Sequence, residues 1–280
     1  QATDLSDAAL AQQMHADEID ILLDLSGHTE HHRLPVFAWR PAPLQISWLG
    51  WWATTGVKEM DYVIADKTGV PPKLRDQFVE QVAWMPETRL CFTPPADAPP
   101  LAPAPALRQG HITFGCFHRL PKLSSDTLRL WAQVLAALPT ARLHVQTQGL
   151  QDAALRQQVA QRFAAHGLPL ERIAFSGPAP REQYLAAYAQ VDVVLDTFPY
   201  TGGTTTCEAL WMGVPTLTLA GDSLLSRQGA SLMRAAGLPE WIATSQDEFV
   251  RKASALAADL PRLAAQRAGL RERLLASPLL

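Results

Sequence analysis

The stretch Asp196–Glu208, DTFPYTGGTTTCE, constrains this chain more than any other. The largely apolar run Val191–Leu195 leads into it, and Ala209-Leu210-Trp211-Met212 continue it as a helix-like run. The pattern predicts a buried strand, a tight Gly-Gly turn and the first turn of a helix. The first N–H groups of a helix have no partner inside it and sit at the positive end of its dipole. Two adjacent glycines let a ligand approach the backbone, and three threonine hydroxyls add donors. This is chemistry for a phosphate, and in an open α/β sheet it lies past the carboxyl end of a strand, where ligands bind. A plain capping box, Thr205-x-x-Glu208, is the competing reading, but it requires neither Gly202 nor Gly203 nor the third threonine. The spacings of dinucleotide folds and P-loops are both absent, which disfavours a nicotinamide dehydrogenase or a nucleotide triphosphatase.

Strand and helix signals alternate along the whole chain. Strands are expected at Ile19–Leu25, Leu44–Leu49, Tyr62–Ala65, Gln81–Met85, Ile112–Phe117, Arg142–Gln146, Arg172–Phe175, Val191–Asp196 and Pro215–Leu219. Amphipathic runs such as Ser125–Leu138, Asp152–His166 and Arg181–Gln190 lie between them. That alternation predicts an α/β fold with parallel sheets. The Ala/Leu/Arg-rich tail from Gln246 to Ala276 reads as one or two terminal helices broken at Pro261. Six prolines in the thirteen residues Thr93–Pro105 mark a link between domains. The expected organisation is thus the later part of a first Rossmann-like domain over 1–92, a Pro/Ala-rich linker over 93–109 and a second Rossmann-like domain over 110–280. The first part begins abruptly, so more of that domain is expected upstream.

Composition narrows the function. At 48% hydrophobic and 18% charged, the 280 residues can bury a substantial core. The net charge of −3, with 24 basic and 27 acidic residues in no single-sign block, disfavours nucleic acid and anionic membranes as main partners. No apolar run approaches the roughly 18 residues of a spanning helix. Cys91, Cys116 and Cys207 form no CxxC pair, which fits a reducing cytoplasm better than a disulfide scaffold or zinc site. His28, His31 and His32 have only local spacing to suggest a metal, so none is expected.

Four further loops carry polar chemistry. In Phe117-His118-Arg119-Leu120-Pro121-Lys122, Lys122 offers a cation to a diphosphate and Arg119 a donor fork. A solvated basic turn is the bland alternative. In Ser176–Tyr184, Tyr184 is suited to stacking on a base, Arg181 to meeting base or ribose, and the backbone at Ala179 to reading base edges. Tyr184 reads equally as a half-buried helix residue. Glu208 is placed to accept hydrogen bonds from ribose hydroxyls. In Trp48-Leu49-Gly50-Trp51-Trp52-Ala53-Thr54-Thr55-Gly56, the tryptophans suit a wall over a sugar or acceptor, or else core packing. Asp24, His28 and Asp66 are strand-end candidates for a general base, and none stands out.

Taken as an ordered set, these motifs resemble the catalytic region of the protein O-linked N-acetylglucosamine transferases, glycosyltransferase family 41. The resemblance runs from Asp20–Gly27 through Arg40-Pro41-Ala42-Pro43-Leu44-Gln45, Trp48-Leu49-Gly50, Thr54-Thr55-Gly56, Asp61–Ile64 and Phe117–Lys122 to Asp196–Pro215. DTFPYTGGTTTCEALWMGVPT is similar to the bacterial branch. The resemblance implies a GT-B architecture, two Rossmann-like domains facing a cleft, and an inverting transfer from a nucleotide-activated sugar without a metal or other cofactor. It implies a UDP-GlcNAc donor, a protein acceptor with Ser/Thr hydroxyls, and tetratricopeptide repeats upstream.

Carried over by position, Lys122 matches the catalytic diphosphate-contacting lysine, and Gly203, Thr204 and Thr205 match a His-Thr-Thr that holds phosphate and sugar, with Gly202 beside it. Leu49 and Gly50 match residues near the sugar. Arg119, Ala179, Arg181, Tyr184 and Glu208 fall on the nucleoside side. Trp51, Trp52 and His28 fall on the acceptor side. Two departures stand out: the usual Gly-Tyr-Pro-Gly turn is Gly50-Trp51-Trp52-Ala53 here, and Gly203 replaces a histidine. Other readings are transfer of fucose from GDP-fucose or of another sugar by the same fold, a nucleotide-sugar epimerase, and a non-catalytic binding module.

Overall fold

The computed structural model describes residues 4–280. The chain forms two compact units, one running through Leu90 and taking in Asp222–Leu225, the other comprising Cys91–Gly221 and Ser226–Leu280.

The first unit is built on four parallel strands, β1 (Ile21–Asp24), β2 (Leu44–Ser47), β3 (Tyr62–Asp66) and β4 (Gln81–Met85), in the order β1-β2-β3-β4. Period-two patterning works as expected on β3, where Val63 and Ala65 go to the core with Val70, Leu74, Phe78, Val82 and Leu224. Two helices, α1 (Asp7–Ala16) and α2 (Leu34–Phe37), complete it. Ser6 caps α1 through its hydroxyl, which accepts from Ala9 N at 3.2 Å.

The second unit has six parallel strands: β5 (Thr113–Cys116), β6 (Arg142–Gln146), β7 (Ile173–Ser176), β8 (Val193–Leu195), β9 (Thr216–Leu219) and β10 (Ile242–Ala243). Their spatial order is β10-β9-β8-β5-β6-β7. The chain therefore builds outward from β5 to β7, returns to the middle, and builds out the other way from β8. Strand order reverses between β5 and β8, the crevice where open α/β sheets take ligands at the strands' carboxyl ends. Helices α3 (Ala106–Gln109), α4 (Ser125–Ala137), α5 (Ala153–Ala165), α6 (Arg181–Ala186), α7 (Thr204–Trp211) and α8 (Leu224–Ala235) connect the strands, and α9 (Gln246–Ala258), α10 (Leu260–Ala268) and α11 (Leu270–Leu275) follow β10. Phe117, Leu185, Tyr188, Val194, Ala209 and Met212 form a core cluster beneath α6 and α7.

The tail is three helices rather than one or two. Pro261 does not break a helix but sits in the first turn of α10, where its missing N–H costs nothing. Asp259 makes the break, its side chain accepting from Arg262 N at 3.0 Å. The Pro/Ala-rich stretch is packed into the second unit: Ala104 and Ala106 are buried, and Ala106 N donates to Asp192 at 3.0 Å. Sequence periodicity did not reveal β10, whose two residues are too few for a pattern.

Candidate functional site

In the second unit, the loops after β5 and β8 meet at the point of strand reversal. After β5 the chain passes through Phe117, His118 and Arg119 into a single 3-10 turn, Leu120–Lys122, before α4 starts at Ser125. Pro121 is tolerated inside that turn. Lys122 Nζ donates to Thr201 O at 2.8 Å and lies 3.9 Å above the centre of the Tyr200 ring. Burial pulls its ammonium below the ordinary lysine value, against the opposing pull of Asp196. Arg119 is exposed.

The Gly202-Gly203 turn is held by its backbone. Gly202 N donates to Asp196 Oδ1 at 2.7 Å, and Gly202 O accepts from Gln228 Nε2 at 3.1 Å. A Cβ on Gly202 would stand 2.2 Å from Thr206 Oγ1 and 2.6 Å from His118 Cε1, so only glycine fits. Gly203 is the N-cap of α7, with no side-chain cap. The N–H groups of Gly203, Thr204 and Thr205 have no partner among the described residues. They form an open donor cluster beside Lys122.

The capping box read from Thr205-x-x-Glu208 does not form. Thr205 lies inside the first turn of α7, and its hydroxyl meets His118 Nδ1 at 2.8 Å. Glu208 is buried and turned away: Oε1 pairs with Arg181 Nη1 at 2.5 Å and Oε2 accepts from the Tyr184 hydroxyl at 2.9 Å. The Tyr184 and Tyr188 hydroxyls are 3.1 Å apart, and Tyr188 reaches back to Thr205 O at 3.3 Å. Burial, with Glu208 nearby, pushes the Tyr184 phenol well up, and burial does the same to Tyr188. Phe117 stacks on Tyr188 with centroids 4.0 Å apart and meets Tyr184 edge-on. Ala179 lies in the loop that carries the chain into α6 beside this network. Lys122, Gly202–Thr205, Arg181, Tyr184 and Glu208 thus belong to one connected patch.

The first unit holds the other group. Leu49 has φ of 68°, and a Cβ on Gly50 would come within 1.9 Å of Leu25 O, so the turn after β2 admits no side chain at that position. Trp51 packs edge-on against His28, and Trp52 lies against the Val63 cluster. His28 is exposed and its Nε2 donates to Thr55 O at 2.8 Å, which leaves a lone pair on Nδ1. Of the other two base candidates, Asp24 is buried and accepts from Ser26 N and Gly27 N, and Asp66 is buried and accepts from Thr68 N, Gly69 N and Arg89 N. Both are turn-forming carboxylates with their lone pairs in use.

Two groups escaped the sequence reading. Glu80 is buried and accepts from Thr54 Oγ1 at 2.7 Å and Thr55 N at 2.6 Å, which fixes the loop that carries the His28 partner. Asp196 organises the Gly-Gly turn. A charged residue at the end of a largely apolar strand run was the available signal for Asp196, while nothing local marks Glu80. Among the described residues, no group of three or more His, Cys, Asp or Glu is placed to hold a metal ion. No helix among them is long and apolar enough to cross a membrane.

The sequence model of Glycosyl transferase family 41 matches residues 3–92 and 105–280, nearly the whole chain and both units. The chain belongs to this family. Among its relatives, the probable UDP-N-acetylglucosamine–peptide N-acetylglucosaminyltransferase SPINDLY of Petunia hybrida is 37% identical over 98% of this chain, and that of Arabidopsis thaliana is 38% identical over 98%. This family 41 chain spans about 30% of the length of those relatives. A mutant of the Thermobaculum terrenum O-GlcNAc transferase is 42% identical, with a TM-score of 0.91, over 97% of this chain and 52% of its own. Anabaena HepE, solved with UDP, shares the fold at 16% identity and a TM-score of 0.59 over 97% of this chain and 77% of its own. The two parallel α/β units are those of the GT-B class of family 41 and its structural neighbours.

Proposed function

We propose that this family 41 chain is the catalytic part of a metal-independent, inverting glycosyltransferase that moves N-acetylglucosamine from UDP-GlcNAc to Ser/Thr hydroxyls of proteins. The observation that carries this reading is the pairing, at the strand reversal, of the Lys122 ammonium with the open N–H groups of Gly203–Thr205. The activities for which these relatives are named support the choice of sugar and acceptor.

The acceptor oxygen attacks the anomeric carbon as the bond to the β-phosphate oxygen breaks on the opposite face. Negative charge grows on that phosphate, and Lys122, the helix N–H groups and the threonine hydroxyls meet it without a metal. Lys122 exchanges Thr201 O for a phosphate oxygen, an electrostatic gain once a dianion is present. Arg119, Ala179, Arg181, Tyr184 and Glu208 form the nucleoside side. The Glu208 carboxylate, already desolvated, exchanges Arg181 or Tyr184 for ribose hydroxyls. Leu49 and Gly50 border the sugar, with Trp51, Trp52 and His28 on the acceptor side. The reading also takes the protein to be cytoplasmic, with tetratricopeptide repeats and the rest of the first catalytic domain upstream.

Calorimetric titration of UDP and GDP into the full-length protein in excess EDTA tests it. Micromolar UDP binding, about −8 kcal/mol, with GDP much weaker, is expected. A preference for GDP would move the donor to GDP-fucose, and binding of neither would leave the non-catalytic module ahead.

A further inference from the structure

His118 is buried at the centre of the diphosphate cradle, yet the transfer chemistry above does not use it. Its side chain is 1% exposed and is held between two partners. Nε2 lies 3.2 Å from Asp196 Oδ1, close enough for an ion pair but off the line of a well-formed hydrogen bond. Nδ1 lies 2.8 Å from Thr205 Oγ1. Asp196, whose side chain is fully buried, also accepts from Thr197 N at 2.9 Å, Gly202 N at 2.7 Å and Thr218 Oγ1 at 2.7 Å. The carboxylate that shapes the Gly-Gly turn is therefore the one that orients His118.

The two partners fix what the ring can do. A carboxylate with these donors accepts only, so the Nε2 facing it carries the hydrogen. In the neutral ring, Nδ1 is then a lone pair, and Thr205 must give it the one hydroxyl proton it has. Thr205 is left presenting lone pairs to the cradle, the wrong polarity for a phosphate. In the imidazolium, Nδ1–H donates to Thr205 Oγ1 instead, and the Thr205 proton turns toward the ligand. One proton on His118 thus converts Thr205 from acceptor to donor.

We propose that His118 is a positioning residue that binds a proton together with the donor diphosphate, switching the Thr205 hydroxyl to donate to phosphate; this rests on the reading of Gly202–Thr205 as the diphosphate cradle. The proton comes from solvent and resides on Nδ1, Thr205 keeps its own, and no covalent bond to the ligand forms. The charge bookkeeping favours the coupling: a polyanion enters a site where Asp196 is already negative, and the imidazolium offsets both.

The other ionisable groups around the ring are Cys116 at the end of β5, Arg119 and Lys122 in the following turn, and Tyr188 and Glu208 behind Thr205. Burial pushes the Cys116 thiol up to about 12, so it stays neutral. Lys122, whose ammonium burial pulls down, is the one neighbour that competes for a proton on binding.

The experiment is calorimetry of UDP binding to the full-length protein at about pH 8, where the terminal phosphate, with a second pKa of about 6, is already ionised. It is repeated in buffers of different ionisation enthalpy. Wild-type protein should take up a proton, and its Kd for UDP should rise with pH by up to about tenfold per unit. His118→Asn can still donate an N–H to Thr205 but cannot titrate. It should bind UDP with no uptake beyond that of Lys122 and a flatter pH profile. Thr205→Ser should keep the uptake and Thr205→Val should lose it, a pair that decides the matter even if the His118 variant does not fold. UDP binding without uptake, or uptake unchanged in His118→Asn or Thr205→Val, overturns the inference while leaving the cradle intact. Absence of UDP binding to the wild type overturns the cradle reading and this inference together.

Discussion

The two ends of β8 carry a buried aspartate each and put it to opposite uses. At the amino end, Asp192 accepts from Ala106 N at 3.0 Å and Thr113 N at 2.8 Å, and Arg267 from α10 donates to Val191 O at 2.6 Å and Asp192 O at 2.8 Å. Its donors and cation come from the packed stretch before β5, from the first residue of β5 and from the terminal helices, and it ties them to the sheet. At the carboxyl end, Asp196 organises the Gly-Gly turn and His118, and near it stand Lys122 and three N–H groups with no partner among the described residues. The same residue type, four positions apart along the chain, closes the structure at one end and leaves donors open at the other. In an open α/β sheet only the carboxyl end faces the crevice made by strand reversal, so unfilled donors accumulate there.

The sharpest way to break this contrast is Lys122→Ala in the full-length enzyme. Loss of a group aimed at growing phosphate charge should lower kcat by about 10²–10³, roughly 3–4 kcal/mol of barrier, with Tm nearly unchanged. A variant that keeps half its kcat would remove Lys122 from the chemistry.

Arg267→Met probes the other end. It strands two carbonyls and a carboxylate that a buried cation now faces. Unfolding free energy should fall by about 3 kcal/mol, while UDP affinity of the folded protein stays within twofold. Denaturant unfolding with parallel UDP titration measures both, and a large affinity loss would mean that the two ends are not separable.

A smaller effect is expected from pH. Burial raises the Asp192 carboxyl above its ordinary value of 3.8 despite the two N–H donors and Arg267. A folded value above the unfolded one gives stability that is full below the unfolded value and is lost as pH rises through the folded value. The Tm difference between wild type and Asp192→Asn should therefore shift against the wild type as pH rises from about 3.8 through the raised folded value. A difference that is flat with pH would show that Asp192 enters the fold without a burial penalty.

The smallest expected effect is on thiol chemistry near the cradle. Cys116 and Cys207 are buried, and burial pushes each thiol up to about 12, while Cys91 is exposed. A disulfide reagent at about pH 8 should label one thiol quickly and the other two only at the rate of unfolding. Fast labelling of a second thiol would mean that the carboxyl end of the sheet opens readily.

Much of this molecule was legible along the chain. Alternating strand and helix signals located nine of the ten strands within a few residues, because β-branched runs bounded by glycine, proline and helical periodicity are local patterns. The ordered loop motifs pointed to family 41 because backbone turns such as Gly50 and Gly202 admit one residue type. The tail was harder. Asp259, not Pro261, separates α9 from α10, since a proline in a first turn is neutral and only the cap decides where that turn begins.

Only the tertiary structure decided which partner each polar group takes. Thr205 and Glu208 have capping-box spacing, yet one turns to His118 from 87 positions away in sequence and the other to Arg181 and Tyr184. Glu80 reaches Thr54 across 26 positions, and the Asp192 carboxylate takes Ala106 N and Thr113 N from 86 and 79 positions away. Local propensity selects strand, turn and helix because those depend on neighbouring residues. A buried carboxylate takes whichever donors the packed elements bring within about 3 Å, and that is set by the order of strands in the sheet.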